Sequence, residues 1–352
     1  MSARVGAVGV GAVGVGVVVL AYGDEPWLAD CVDAVLASRG VDVEVVVVDN
    51  QGTPADVDRV RGRAGVRVLS PGRNTGFAGG CNLGAAALTR TVGEQPYLAL
   101  VNSDCLVDPD ALARLAAEAA RPGVGPVMAS IRLADDPARL NSAGNPVHVL
   151  GTCWAGGLGE PETRAAAYDV AGASGACLLL RRALWDELGG FDDAYFAYLE
   201  DTELSLRCWR RGLAARCVPD ALARHHYEFS RNPTKMYLLE RNRLLLVSTL
   251  WSGRALVALA PLLLAFELGL APLALAQGWG AQKVRAWVWV ARHPGHLRAR
   301  RRRLERERTV DPAVWMRVLT PAFAPHVVGS RALAALLNAV VGVYWRLVLR
   351  VL

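Results

Sequence analysis

Runs of β-branched and apolar residues alternate with stretches of helical spacing along the first third of the chain. Residues 15–22 (VGVVVLAY) read as a first buried strand. Residues 26–38 place Trp27, Leu28, Cys31, Val32, Val35 and Leu36 at the three-to-four spacing of a helix face. A strand over 43–48 follows, ending in Asp49-Asn50. Then come a polar helix over 53–63, a short strand over 66–69 and a helix of small residues over 77–88. Another apolar strand, 97–101, ends in Asn102-Ser103-Asp104. Asp108 reads as the N-cap of the next helix, with Pro109 at its first position. Continuous apolar strands separated by helices predict an α/β fold with a mostly parallel sheet covered on both faces.

The alternation stops after Val127. Residues 131–168 read as loop, with Asn141, Gly144, Asn145, His148 and Trp154, and 170–180 regain strand character. After Asn242 the texture changes. Residues 244–276 are strongly apolar, broken by Arg254, two prolines and Glu267. Two tryptophans lie within 285–290, and 331–352 read as an amphipathic helix carrying Arg331, Arg346 and Arg350. The expected organisation is an α/β domain over 15–243 and a helical, apolar and basic region over 244–352. Residues 1–14, rich in Val-Gly, read as a poorly ordered leader. They resemble a signal peptide, but the run continues into strand 17–22, which cleavage would destroy.

Composition sharpens this picture. Apolar residues make up 53% of the 352, and mean hydropathy is +0.24. Charged residues still reach 20%, which excludes a membrane protein built of spans throughout. The seven cysteines form no CxxC pair, so no zinc or redox motif is indicated, and their odd number favours a reducing compartment. Residues 292–308 hold eight arginines against two glutamates, a local excess equal to the net +6 of the whole chain. The neighbours of this run are apolar and Trp-rich rather than base-reading, which points to an anionic membrane surface and away from nucleic acid. Residues 255–276 are about as long as a spanning helix needs. A single span would set the arginines across the membrane from the α/β domain, against the positive-inside rule. The reading is therefore helices lying in the inner leaflet with arginines on lipid phosphates. A hairpin, or burial within a homo-oligomer, is the alternative.

Candidate chemistry collects at strand ends, where open α/β sheets bind ligands. The segment PGRNTGFAGGCNLGAAAL (71–88) sets Gly76, Gly79 and Gly80 beside Arg73, Asn74 and Asn82 at the mouth of a helix. Such a loop lets backbone N–H groups approach a phosphate, and Arg73 adds a forked donor. A tight turn with close helix packing explains the same glycines. Asp104 at the end of Asn102-Ser103-Asp104 suits a hard divalent cation, which can bridge a diphosphate. Glu200-Asp201 follows the aromatic run Tyr195, Phe196, Tyr198. Acids also favour a helix start through the helix dipole, so the backbone reading and a chemical one coexist. His225-His226 and then Arg241-Asn242 complete the set.

The blocks VVVLAYG, VVVVDNQ, RNTGFAGGCNLG, LVNSDCLVDPDAL, ASGACLLLRR, GGFDDAYFAYLEDTELSLRCWRRG and RHHYEFSRNPTKMYLLERNRLLL occur in that order over roughly residues 15–245. Together they resemble the inverting family 2 glycosyltransferases of GT-A fold, in particular the rhamnosyltransferase-like members of bacterial cell-surface polysaccharide synthesis. The resemblance implies an enzyme that moves a sugar, rhamnose among the candidates, from a dTDP- or UDP-sugar to a hydroxyl of a glycan or lipid-linked acceptor. It implies a divalent cation, Mn²⁺ or Mg²⁺, and work at the cytoplasmic face of the cell membrane. Position by position, Ala21 and Tyr22 would line the nucleotide pocket and Asp49 would grip the base. Arg73, Asn74, Gly76, Phe77, Ala78, Gly79, Asn82, Asn102 and Ser103 would surround nucleoside and diphosphate. Asp104 would hold the metal, with His225, or alternatively His226, as second ligand. Ser174, Gly175 and Asp192 would face the acceptor. Asp201 would be the general base, and Glu200 would raise its pKa by adding negative charge.

Two positions depart from the family pattern: Gly23 follows Tyr22 where many relatives carry Asn, and Asn102 stands for the first Asp of a DxD. The rival readings are a nucleotidyltransferase or a non-catalytic binding protein on the same scaffold. A dehydrogenase would need GxGxxG after the first strand, which residues 22–27 lack. On this organisation, a chain cut after Val247 is expected to keep a soluble domain that binds nucleotide.

Overall fold

Valine-rich strands form the centre of a ten-stranded sheet. The computed structural model describes residues 12–91, 93–226 and 232–352. Residues 1–11 of the expected leader lie outside the described residues, and Val13 and Gly14 already belong to the first strand. The strands are β1 (Val13–Gly23), β2 (Val41–Gly52), β3 (Val66–Leu69), β4 (Tyr97–Asn102), β5 (Cys105–Val107), β6 (Val124–Leu133), β7 (Leu140–Ser142), β8 (Tyr168–Asp169), β9 (Cys177–Arg181) and β10 (Ala214–His225). Their order is β3-β2-β1-β4-β9-β6-β10-β5, with β7 beside β6 and β8 beside β10. The first four positions run parallel, as do β6 and β10, while β9 lies antiparallel between β4 and β6.

The helices are α1 (Leu28–Leu36), α2 (Pro54–Asp58), α3 (Gly76–Ala87), α4 (Ala111–Ala119), α5 (Arg182–Leu188), α6 (Glu200–Trp209), α7 (Pro233–Leu250), α8 (Gly253–Ala276), α9 (Gly280–Arg292), α10 (Pro294–Glu307), α11 (Pro312–Trp315), α12 (Pro325–Val328) and α13 (Arg331–Val351). The small residues of α3 have a packing cause: a Cβ at Gly84 would overlap Val18 of β1. Two apolar layers cover the sheet. One carries α1 and α4 on Val15, Val17, Val45 and Val47; the other carries α3 and α5 on Val18, Val46, Leu98 and Leu178.

Two local expectations change. Asp108 does not cap α4. The helix begins at Ala111 with Asp110 before it, and Asp110 instead pairs with Arg39 at 2.9 Å. Residues 170–176 are loop, and the strand begins only at Cys177. Their backbone is drawn toward α6: Ala173 N donates to Ser205 Oγ at 3.0 Å and Gly175 N to Asp201 Oδ2 at 2.8 Å. Ladder hydrogen bonds are thereby exchanged for side-chain ones.

The C-terminal region is knitted into the α/β domain. Residue 243 lies inside α7. A third apolar cluster joins Val147, Val149, Tyr195 and Leu206 to Leu246, Trp251, Trp315, Met316 and Trp345. The arginine run is split between two directions. Arg300 of α10 contacts Glu203 at 2.6 Å and Asp192 at 3.1 Å. Arg301 donates to the Ser248 carbonyl and Arg303 to that of Leu188. Arg308 pairs with Glu305, which also receives Arg210 of the chain after α6. Only part of the run stays exposed: Arg292, Arg298, Arg302, Arg303 and Arg306. Of these, Arg298, Arg302 and Arg306 are spaced by four residues, hence on one helix face. The expectation that the run as a whole lies on lipid is corrected accordingly, because composition does not say which face of a helix a charge occupies.

The cut after Val247 is also revised. It would leave Glu203 and Arg210 buried without their α10 partners and remove Trp251, whose Nε1 donates to the Val149 carbonyl at 2.8 Å. Breaking a buried pair costs about 3–5 kcal/mol. The truncated chain is expected to lose a cooperative thermal transition in circular dichroism. A sharp transition within about 5 °C of the full-length Tm would show that the first 247 residues fold alone.

Candidate active site

The parallel register brings the predicted strand ends to one edge. Ala21 pairs with Asp49 and Leu20 with Asn102, so Tyr22, Asp49-Asn50 and Asn102-Ser103-Asp104 emerge together. Tyr22 is exposed there, whereas Ala21 is buried. Asp49 turns back on its own chain and accepts from Gly52 N at 3.1 Å.

Asn50 does what its neighbour does not. It is 1% exposed, and its Oδ1 accepts from Thr75 N at 2.7 Å and Thr75 Oγ1 at 2.9 Å. Its Nδ2 donates to Asn74 Oδ1 at 3.0 Å, and Asn74 Oδ1 also receives Gly76 N at 2.8 Å. The Arg73–Gly79 loop is thus pinned to the end of β2. Gly76 sits at φ +73°, and a Cβ there would overlap the Phe196 carbonyl oxygen. Ala78 N donates to that oxygen at 3.0 Å. Arg73 is exposed beside the loop, and Gly79 is buried against Thr75. Asn82 does not join the anion-binding group. Its amide holds Phe191 N, Phe191 O and Asp193 Oδ1 at 2.7–3.1 Å, which engages both of its ends.

At the end of β4, Asp104 Oδ1 lies 3.0 Å from His225 Nε2. His225 Nδ1 faces Asn141 Oδ1 at 3.0 Å. An amide oxygen only accepts, so Nδ1 carries the proton and Nε2 presents either a second proton or a lone pair to the carboxylate. A divalent cation between them would satisfy both groups, and carboxylate plus imidazole is a donor set that Mn²⁺ and Mg²⁺ accept. Among the described residues no group of three or more His, Cys, Asp or Glu could hold a metal. Further ligands would come from diphosphate and water, as is usual for such ions. His226 turns the other way and stacks on Trp27 with centroids 3.6 Å apart.

Ser103 is buried, and Glu25 from the β1–α1 loop bonds to it. Burial, with Asp104 nearby, pushes the Glu25 carboxyl up to about 7. Sequence reading gave Glu25 no part. The glycine-free turn after Tyr22-Gly23 offered no motif to flag it.

On the acceptor side, Asp201 stands in the first turn of α6. Its Oδ2 accepts from Gly175 N at 2.8 Å and from Asn145 Nδ2 at 3.4 Å; its Oδ1 accepts from Thr202 N at 2.6 Å. Gly175 is wedged between Asp201 and the Phe77 ring, so the Gly76–Phe77 loop and the carboxylate are neighbours across one residue. Ser174 lies alongside, its Oγ accepting from Ala176 N at 3.4 Å. Burial raises the Asp201 pKa, against the hydrogen bonds from Gly175 and Thr202 that lower it. Glu200 behaves differently from expectation. It is buried, its Oε2 has no hydrogen-bond partner, and burial followed by the Asp201 charge pushes its own pKa well up. Both causes favour its protonated form. The Asp201 shift comes first from its own burial rather than from Glu200.

Asp192 also departs from its expected acceptor-side role. Its Oδ1 caps Ala194 N at 3.1 Å and its Oδ2 meets Arg300.

The chain between Asp192 and α6 is strained. Phe196, Tyr198 and Leu199 hold φ of +61°, +72° and +68° without being glycine. Side chains from α7 hold this turn. Asn242 Nδ2 donates to the carbonyls of Tyr195, Ala197 and Tyr198 at 2.6–2.9 Å, and Arg241 Nη2 to those of Ala194 and Tyr195. The pair was visible in the sequence, but the contact across more than 40 residues was not.

A mixed α/β sheet with its ligand loops at one edge, a carboxylate–imidazole pair at a strand end and a buried carboxylate beside the glycine loop define a GT-A glycosyltransferase fold. Residues 16–189 match the family described as glycosyl transferase family 2. An N-acetylglucosaminyl-diphospho-decaprenol L-rhamnosyltransferase of Mycobacterium tuberculosis is 28% identical over 233 residues, covering 60% of this chain and 75% of that one. An O-antigen biosynthesis protein of Myxococcus xanthus is 30% identical over 148 residues, 38% of this chain and 11% of that one. Among solved structures, GalNAc-T7 with UDP, GalNAc and Mn²⁺ superposes with a TM-score of 0.55 at 16% identity. That match covers 70% of this chain and half of the GalNAc-T7 chain, and it bears on fold alone.

Proposed function

We propose that this chain transfers a sugar from a nucleoside-diphosphate donor to a hydroxyl of a lipid-linked glycan, with inversion, and that Asp201 is the general base. The observation that carries the reading is Asp201 fixed by Gly175 N and separated from Phe77 of the glycine loop by that one residue. The donor diphosphate would lie at the mouth of α3, where the positive end of the helix dipole and the exposed Arg73 favour anions. The acceptor hydroxyl would approach Asp201, which takes its proton as the oxygen attacks the anomeric carbon from the face opposite the diphosphate. Gly175, Asn145 and Thr202 orient the carboxylate. Asp104 and His225 would hold the divalent cation, which stabilises the charge of the departing diphosphate. The named activity of the Mycobacterium tuberculosis relative supports a rhamnose donor and an N-acetylglucosaminyl-diphospho-lipid acceptor.

A lipid-linked acceptor requires the enzyme at a membrane, and we place it on the cytoplasmic face. The helices α8 and α13 are long and apolar enough to cross a bilayer. Each also has one face against protein: Ala255, Leu259 and Ala274 of α8 and Ala334, Val341, Trp345 and Val348 of α13 are buried. Glu267, midway along α8, is bound by Arg243, Lys283 and Trp287. The opposite faces expose Val257, Leu264, Leu268 and Leu275 on α8 and Leu336, Val340, Val343 and Leu347 on α13. One packed face and one bare apolar face suit helices lying in the membrane plane.

Transfer from dTDP-rhamnose to a prenyl-diphospho-GlcNAc acceptor by the purified full-length protein tests the reaction. Asp201→Asn is expected to reduce kcat at least about 100-fold while UDP affinity holds. A base with a raised pKa must lose its proton to work, so wild-type kcat should fall as pH drops through a value above the usual aspartate range. Near-normal turnover by Asp201→Asn would sink the assignment. Excess chelator should stop the same reaction and Mn²⁺ restore it; undiminished transfer in chelator would remove the metal from the proposal.

Apolar insertion is insensitive to salt, whereas arginine–lipid attraction, about 1 kcal/mol per residue, is screened. The protein is therefore expected to stay on anionic vesicles in 1 M NaCl and to need detergent for release. Quantitative recovery in the salt wash would leave only the exposed arginines as membrane contacts.

A further inference from the structure

We infer that Asn242 is a positioning residue for the transfer reaction: its carboxamide holds the 195–199 turn in the strained form that fixes Asp201 relative to the donor loop. The inference rests on the reading of Asp201 as base.

The amide has one possible orientation. Arg241 Nε and Nη2 point at Asn242 Oδ1 at 2.9 and 2.8 Å, and a guanidinium only donates, so this end is the oxygen. The NH₂ end then faces the carbonyls of Tyr195, Ala197 and Tyr198 at 2.9, 2.8 and 2.6 Å. The residue is 0% exposed, so no water replaces these bonds. Non-glycine residues at positive φ cost of order 1–3 kcal/mol each and persist only where surrounding structure over-determines them. Three such residues lie in a stretch of four, and the donors that gather the carbonyls of that stretch come from α7.

Both ends of the turn lead to chemistry. Phe196 O accepts from Ala78 N at the mouth of α3, and the missing side chain of Gly76 makes room for it. Leu199, in the left-handed region, is the N-cap of the helix whose second residue is Asp201. The turn therefore spans from donor loop to base. In-line displacement needs the base, the hydroxyl and the anomeric carbon aligned, and a misplacement of about 1 Å can cost 100-fold. The donor loop has its own anchor in Asn50, so losing the clamp should spare nucleotide binding.

The test uses the full-length protein in detergent. Asn242→Asp keeps the shape and the contact with Arg241 but offers carbonyls a carboxylate in place of an NH₂. Transfer kcat is expected to fall about 100-fold, with UDP Kd within about threefold of wild type and a cooperative thermal transition. Leu199→Gly, added to that variant, should recover part of kcat, because glycine takes the left-handed conformation without the penalty that the clamp offsets. A merely structural asparagine would give no such recovery. Folded Asn242→Asp with kcat within about threefold of wild type overturns the proposal, as does loss of UDP binding in step with transfer. If Asn242→Asp does not fold, Arg241→Lys decides. A lower kcat at unchanged UDP Kd supports the clamp, and unchanged kcat overturns it. Measuring wild-type transfer in parallel separates failure of the clamp from failure of the glycosyl-transfer reading.

Discussion

Glu203 is a carboxylate with no exposure to solvent, two residues after the candidate base. Burial alone would drive its pKa up, yet Arg207 and Arg300 hold it below the usual glutamate range. A charge in such a place exists only while its partners do. Arg207 comes from the same helix, and its guanidinium also binds the carbonyls of Leu188 and Gly190. Arg300 comes from α10, almost a hundred residues later. Glu203, in the helix that carries Asp201, therefore has both of its counter-ions only with α10 docked. Asp192 enters the same network through Arg300, so the start of the strained turn and the base helix share one counter-ion.

A second buried ionic group repeats the device farther out. Glu240 and Arg243 of α7 meet Lys283 of α9 and Glu267 of α8, all with little or no exposure except Glu267. Ion pairs of this kind add little net stability, because desolvation offsets the attraction. Their directional bonds do select one docking of α8 and α9 on α7. The bare apolar face of α8 is thereby set at a fixed angle to the catalytic sheet. On the proposed reading, with a lipid-anchored acceptor, that angle would decide whether the acceptor hydroxyl reaches Asp201.

The strands of the sheet were legible because burial on both faces leaves unbroken apolar runs, and Val45–Val48 or Leu98–Val101 have few other homes. Asp104, Asp201 and His225 were singled out by residue type and family resemblance, and the structure brings Asp104 and His225 within 3.0 Å. Residues 170–176 misled because their composition suits a strand, while their backbone hydrogen bonds go to Ser205 and Asp201 of a helix not yet formed in the reading. The arginine run misled for a related reason. Eight arginines in a row of seventeen look like a surface, but half of them find carbonyls and carboxylates that only the folded chain brings near. Glu200 was read as a charge because its protonation depends on burial, which sequence does not display.

The residues that reading undervalued are mostly amides. Asn50 pins the glycine loop, Asn82 ties α3 to the chain at 191–193, Asn141 sets the His225 ring, Asn145 reaches Asp201 and Asn242 holds the turn. Asn50, Asn82 and Asn242 donate and accept at once, and all five do their work without charge. A carboxylate at position 50 would lose the donor that meets Asn74 Oδ1, and one at position 141 would add a charge beside His225. A carboxylate at position 145 would repel Asp201 and raise its pKa further. A lysine at position 145 would pair with Asp201 in place of the neutral amide. Neutral amides fix geometry without adding charge, and their bonds join segments far apart in the chain, which is why this framework was not visible in the sequence.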